Sequence, residues 1–229
     1  MAVAFDNSGS ATGNTVTTLT ADITAATVGA ACFMWIYNAN TETSITNTGW
    51  TQIVSLDEST TSHYSLWWRT KQSGDTTFAP SWPTAQGSSL VWVSYTGAAT
   101  TPYEAEADVA ISTATTTETT PSSTPTSTGR WATCFYAARS TTATFNYTSA
   151  DAAQTLRVQN VNTANRWAAV MASDSNATVA VTAQSYTATL STSESHGAAA
   201  ILFVVPGATT PVADAPYTVL QAVNRAATY

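Results

Sequence analysis

Apolar residues in this chain come in short runs closed off by Gly, Asn, Asp and Ser clusters, almost nowhere at the three-and-four spacing of an amphipathic helix. That rhythm predicts strands over residues 15–23, 31–37, 50–56, 64–70, 90–95, 105–112, 130–137, 141–148, 154–160, 167–172, 178–190 and 196–205. About a dozen short strands at turn-punctuated intervals are the pattern of an antiparallel sandwich or barrel. The run 31–37, Ala-Cys-Phe-Met-Trp-Ile-Tyr, has no polar position, so it reads as a strand covered on both faces. The most helix-like window, 149–156, is too short to change the class.

Two segments break the rhythm. Residues 113–128 hold nine Thr and three Ser, with Pro121 and Pro125. Proline cannot donate to a ladder, so this stretch reads as a surface connection or edge strand. A mucin-like stalk is set aside because strand signals resume at Trp131. The other segment is the end. Pro206-Gly207 stops the last strand, which divides the chain into a body (1–206) and a C-terminal arm (207–229). Tyr217, Val219, Leu220 and Val223 are apolar and would be wasted on a loose tail, so they are candidate contacts. Docking on a neighbouring subunit and docking on the chain's own body both stay open.

Composition narrows the partners. Charged residues make up 9% of the 229, against about 25% in an ordinary soluble domain. Threonine fills the gap with 46 residues, and Lys71 is the single lysine. Hydrophobic residues reach 44% with eight Trp, so there is material for a real core and disorder is excluded for most of the length. A net charge of −7 leaves no basic stripe for phosphates or anionic lipid, so neither nucleic acid nor membrane is expected as a partner. The N-terminal residues lack the pattern of a secretory signal. The expectation is a protein made in a host cytoplasm and carried out of the cell in a particle. Scarce lysine also leaves sheet edges poorly guarded, so those edges are expected to be covered by partners.

Little in the sequence looks catalytic. Cys32 and Cys134 lie inside apolar runs and read as buried structural thiols, with a bridge between neighbouring strands as the alternative. His63 and His196 have no nucleophile elbow near them, and no acidic cluster has calcium-loop spacing. Neither a cofactor nor a metal site is expected. Glu104, Glu106 and Asp108 alternate along one strand, which would put all three on one face, with Ala105, Ala107 and Val109 pointing inward. Such a row could hold a glycosidase pair, but it is also what a solvent-facing strand displays. Trp67, Trp68 and Trp82 are candidate glycan contacts. The first two are consecutive in a strand and so point to opposite faces, while Trp82 sits beside Pro83 in an expected loop. Trp35, Trp92, Trp131 and Trp167 sit among apolar neighbours and read as core.

The order of several pieces resembles a known family. Gly49-Trp50-Thr51 opens one strand and Leu66-Trp67-Trp68-Arg69-Thr70 forms the next, before the turn Gly74-Asp75. Later a Ser/Thr stretch leads into Trp131, and residues 182–192 lead into a final apolar strand ending at Pro206. This is similar to the jelly-roll modules in head-decoration and minor tail proteins of tailed phages infecting actinobacteria, and it spans about residues 2–206. The resemblance implies an all-β antiparallel jelly-roll β-sandwich with a short C-terminal extension and a non-enzymatic place in a virion. It carries no catalytic residues. Without collagen-like repeats or a second domain, a compact coat on the outside of the capsid is expected over a fibre. The implied partners are capsid or tail subunits and further copies of the chain, a trimer among the candidate homo-oligomers. The alternatives are a tail-tip adhesin for host glycans and a polysaccharide-degrading enzyme.

Overall fold

Val, Ile, Thr and aromatic residues suit a pleated, half-buried surface, and successive side chains alternate between its faces. The computed structural model describes residues 1–41, 44–58, 62–140, 145–163, 168–194 and 196–208, and the chain is all-β, with no helix among those residues. No helix there is long and apolar enough to cross a membrane. Tyr217, Val219, Leu220 and Val223 lie outside the described residues.

The first half contributes β1 (Ala4–Thr18), β2 (Ala21–Asp22), β3 (Ala31–Asn38), β4 (Thr51–Glu58), β5 (Ser62–Thr70), β6 (Thr77–Phe78) and β7 (Ser81–Thr96). The second contributes β8 (Ala98–Ile111), β9 (Thr115–Thr119), β10 (Trp131–Arg139), β11 (Tyr147–Ser149), β12 (Thr155–Asn162), β13 (Ala168–Asp174), β14 (Thr187–Glu194) and β15 (His196–Pro206). Each half builds one large antiparallel sheet, β1-β7-β3-β5-β4 and β8-β15-β10-β13-β12. If β11 is counted as an insertion, the two orders are identical: first, last, third, fifth, fourth. In both halves the second strand pairs with the sixth in a small covering sheet, as β2-β6 and as β9-β14, with β11 on the far side of β14.

The agreement reaches detail. The first and fourth strands of both halves are bulged, near Asp6 and Ile53 and near Ala105 and Arg157. The third strand of each follows a glycine in the left-handed region, Gly29 and Gly129, where a side chain would strain the turn. The fold is therefore an internal duplication at the level of topology.

The two large sheets face each other and the small sheets cover their backs, which gives four layers and three cores. Phe33, Trp35, Tyr37, Tyr64, Phe135 and Leu202 meet in the central core. Cys32, Met34, Ile36, Trp67, Phe78 and Trp92 fill the space under β2-β6. Cys134, Tyr136, Met171, Tyr147 and Phe203 fill the space under the β9 sheet. β3 is buried at every position, as its unbroken apolar run predicts.

At one side of the sandwich β1 lies against β12. Asn160 and Asn162 donate to the carbonyls of Ala11 and Gly13, and Ser8 donates to that of Arg157. These edges are thus covered by the molecule itself. Lysine guards none of them, because Lys71 is buried and its ammonium donates to the carbonyls of Ile23 and Asp75.

Some elements differ from expectation. β1 starts at Ala4 and β7 at Ser81, well before the predicted strands, because the polar first half of β1 pairs with the apolar segment 90–96 of β7, and the polar first half of β7 pairs with the end of β1. The predicted strand 178–190 shortens to β14. Of 141–148 only β11 is strand among the described residues. The 149–156 window is a turn, in which Gln154 donates to the Asp151 carbonyl, followed by the start of β12. The Thr-rich stretch holds β9, an edge strand, within a longer connection.

Candidate functional site

Burial decides among the residues singled out from the sequence. Trp67 and Trp68 do take opposite faces, but β5 lies in a middle layer, so both faces are covered. Trp67 is 5% exposed, and its indole donates to the Ser65 hydroxyl at 2.9 Å. Trp68 is half-buried and packs edge-on against Tyr103. Trp82 is in a strand, not a loop, and only 4% exposed, and its indole donates to the Val16 carbonyl at 2.8 Å. Pro83 is tolerated in β7 because the ladder to β1 is out of register there. Trp67 and Trp82 therefore present no open ring for stacking.

The three alternating carboxylates do not share a face. Ala105 has φ +49°, and Ala105 and Glu106 together oppose Leu202, so the bulge reverses the alternation. Glu104 lies on the face toward the β9 sheet, gripped by Arg130 Nε and Nη2 at 3.0 and 3.1 Å and by Thr126. Burial alone would raise its pKa, but these hydrogen bonds outweigh that and hold it below the usual carboxylate range. Glu106 and Asp108 face the opposite side, at the open edge of the central core. Burial first, and the neighbouring Asp108 second, push Glu106 up to about 7. Ala105, Ala107 and Val109 pack inward, as predicted.

Both cysteines are free and buried, which removes the disulfide alternative. Burial pushes the Cys32 thiol up to about 12 and Cys134 further, the opposite of what a nucleophile needs. Among the described residues no group of three or more His, Cys, Asp or Glu is arranged to hold a metal ion.

Polar chemistry gathers at one end of the sandwich. On the inner face, β4 and β5 bring Glu58 and Ser62 opposite Arg139 and His196 of β10 and β15. His196 Nδ1 is 2.7 Å from Glu58 Oε2, and Arg139 donates to Ser62 at 3.4 Å, so this cluster bonds one half of the chain to the other. One layer further out, Tyr147 donates to Glu118, a fully buried carboxyl that burial pushes well above its ordinary range, with the Tyr147 bond partly opposing the rise. Gly197 is required beside it. A Cβ there would lie 2.0 Å from Glu118 Oε1 and 3.0 Å from the Ala137 carbonyl.

On the outer face of the first large sheet, a polar row crosses four strands. Ser88, Asn38, His63 and Asp57 are directly paired neighbours, and Gln86 precedes Ser88 on the same face of β7. His63 Nδ1 bonds Asp57 at 2.7 Å. The others are unsatisfied: both amide atoms of Gln86, both of Asn38 and the Ser88 hydroxyl are buried without a partner. Beside Gln86, where β1 leaves the ladder between Gly13 and Val16, a cavity of about 260 Å³ opens. It is lined by Asn14, Thr15, Ala39, Asn40, Ala85, Gln86 and Gly87. Amides and hydroxyls do not stand out in a Thr-rich chain, so the only sequence signal for it is a pair of amides, Asn14 just before the strand predicted from residue 15 and Asn40 after the one ending at 37.

No protein-family model, no curated protein and no solved structure matches this chain.

Proposed function

We propose that this chain is a non-enzymatic structural protein of a bacteriophage virion, a decoration protein that stabilises the outside of a capsid. The observation that carries the reading is how the charges are used. Arg69, Lys71, Arg130, Arg139 and Arg157, the cations among the described residues, are each bonded within the molecule, three of them to Asp75, Glu104 and Asp174. What is left outside is a surface of hydroxyls and methyls with scattered carboxylates, Asp22 and Asp108 among the exposed ones. Such a surface packs against subunits with no cation among the described residues to desolvate.

The finer reading of the fold belongs to the same proposal. First strand beside last, last beside third, and second beside sixth in the covering sheet are pairings a jelly roll also has, and they support that reading, with the fifth and fourth strands extending the large sheet. On this reading the chain carries two, back to back, where the sequence pattern pointed to one. A coat protein stabilises a shell by binding the assembled lattice and not free subunits, and the C-terminal arm with Tyr217, Val219, Leu220 and Val223 would supply the attachment.

Localisation in purified particles tests the proposal. Hundreds of copies per virion are expected of a coat; a handful would mean a tail tip, and absence would overturn the reading. Truncation after Gly207 is expected to leave a folded body that joins particles poorly, and normal incorporation would remove the arm from the mechanism. The adhesin reading through Trp67 and Trp82 is weakened by their burial, and the hydrolase reading by the separation of Glu104 from Glu106 and Asp108.

A further inference from the structure

We propose that the cavity beside Gln86 is a binding site for a single neutral sugar residue. Such a site is independent of whether the chain coats a capsid. Its volume, about 260 Å³, falls just under the range of pockets for drug-sized ligands, which leaves room for one monosaccharide and a few waters.

The lining sets the ligand's chemistry. Asn14, Thr15 and Asn40 supply amides and a hydroxyl, the Gln86 amide lies buried in the wall, and no lining residue is charged. An anion would find no cation there and a cation no carboxylate, since Asp57, at the far end of the row, is engaged by His63. Side-chain amides offer a donor and an acceptor a short distance apart, which matches vicinal hydroxyls that both give and take hydrogen bonds.

The second observation is unspent hydrogen-bonding capacity. Gln86 is 5% exposed, and neither of its amide atoms has a protein partner. Ser88 and Asn38, next along the same face, are fully buried with their polar atoms also unpaired. Native proteins leave few such groups, because each has given up its hydrogen bonds to water without replacement. Nearby amides show that the fold can satisfy its own: Asn160 and Asn162 both reach backbone carbonyls. A row of unsatisfied amides that ends beneath the wall of a polar cavity, with Gln86 closing it off, is what a site that opens onto an outside hydroxylated ligand looks like.

Saturation-transfer NMR on the full-length protein with the methyl glycosides of glucose, galactose, mannose and N-acetylglucosamine tests this, with glucuronate as the charged control. At least one neutral glycoside is expected to bind at about millimolar Kd, the level of a single sugar with few contacts, and glucuronate is not. Gln86→Leu is expected to weaken binding at least tenfold while Tm stays equal or rises, because the variant removes a buried polar group that had no partner. Asn40→Ala, at the rim, is expected to weaken binding without changing Tm. No transfer from any neutral glycoside would overturn the proposal, as would binding that survives both variants. A fall in Tm for Gln86→Leu together with intact binding in Asn40→Ala would make the amide a structural group and would equally overturn it.

Discussion

The two halves of the molecule share one strand order and fill it with different residues. The first half holds six of the eight tryptophans, and they do the work of a thin cover: β2 and β6 are two residues each, so Trp67, Trp82, Trp92 and the Trp50–Phe78 pair close the gaps around them. The second half has a three-stranded cover over a carpet of small side chains, among them Ala132, Ala138, Ala169 and Ala199. Small residues let two sheets approach closely, whereas rings span the distance when the covering layer is sparse. Strand order and turns thus specify the topology, and the filling is negotiable as long as the volume is right.

The largest test of that contrast is Trp35→Ala. Trp35 packs on Tyr64 and Phe135 in the central core, and its loss is expected to cost about 3–5 kcal/mol by urea denaturation. A loss below 1 kcal/mol would mean that the rings are not what fills the first half.

The two seams of the sandwich differ as well. Where β1 meets β12, Arg157 pairs with the fully buried Asp174 at 2.8 Å and lies over the Phe5 ring. Removing it as Arg157→Ala strands a buried charge, for an expected cost of about 3 kcal/mol, softened by the remaining Tyr95 hydrogen bond to Asp174. Equal stability of variant and parent would show this seam to be held by its asparagines instead.

The packing of the second half is probed by Gly197→Ala. An added methyl group meets both Glu118 and the Ala137 carbonyl, so a loss of about 1–3 kcal/mol is expected in thermal melts. Tolerance of the methyl would mean that the covering sheet moves freely away.

The smallest effect belongs to the other seam, where β8 presents Glu106 and Asp108 in place of an ion pair. Glu106 holds its proton more tightly folded, at about 7, than in an unfolded chain at about 4.5. Stability is therefore greatest below the ordinary carboxylate range and falls as pH rises from about 4.5 to 7. Because Glu106 is half exposed, the change is on the order of 1 kcal/mol. Glu106→Gln should flatten this part of the stability–pH curve, and an unchanged slope would assign it to another group such as Glu118.

Much of this was legible in the sequence, and the reasons are local. The unbroken apolar run of β3 announced a strand with both faces covered, and the apolar surroundings of Cys32 and Cys134 announced inert thiols. The duplication was not visible, since its halves share turns and bulges and little else. Gly29 and Gly129 were its faint marks. The face of Glu104 could not be read either, because one residue in the left-handed region reversed a pattern that the letters alone make regular. Trp82 was misplaced for a similar reason: Pro83 speaks against a strand except where the ladder is already broken.

Three points distant in the chain lie together at one end of the molecule. The Met1 ammonium donates to the Gly207 carbonyl at 2.8 Å, and the Gly207 amide donates to that of Gly97 at 2.7 Å, at the junction of the halves. Residues 1–207 thus trace a closed circuit of two arcs that share one strand order. Joining residue 207 to residue 1 through a short linker and opening the chain after Gly97 would reverse the order of the arcs and keep every neighbour in place. It is also the geometry in which a doubled gene is tolerated, because the appended copy begins where the first one ends.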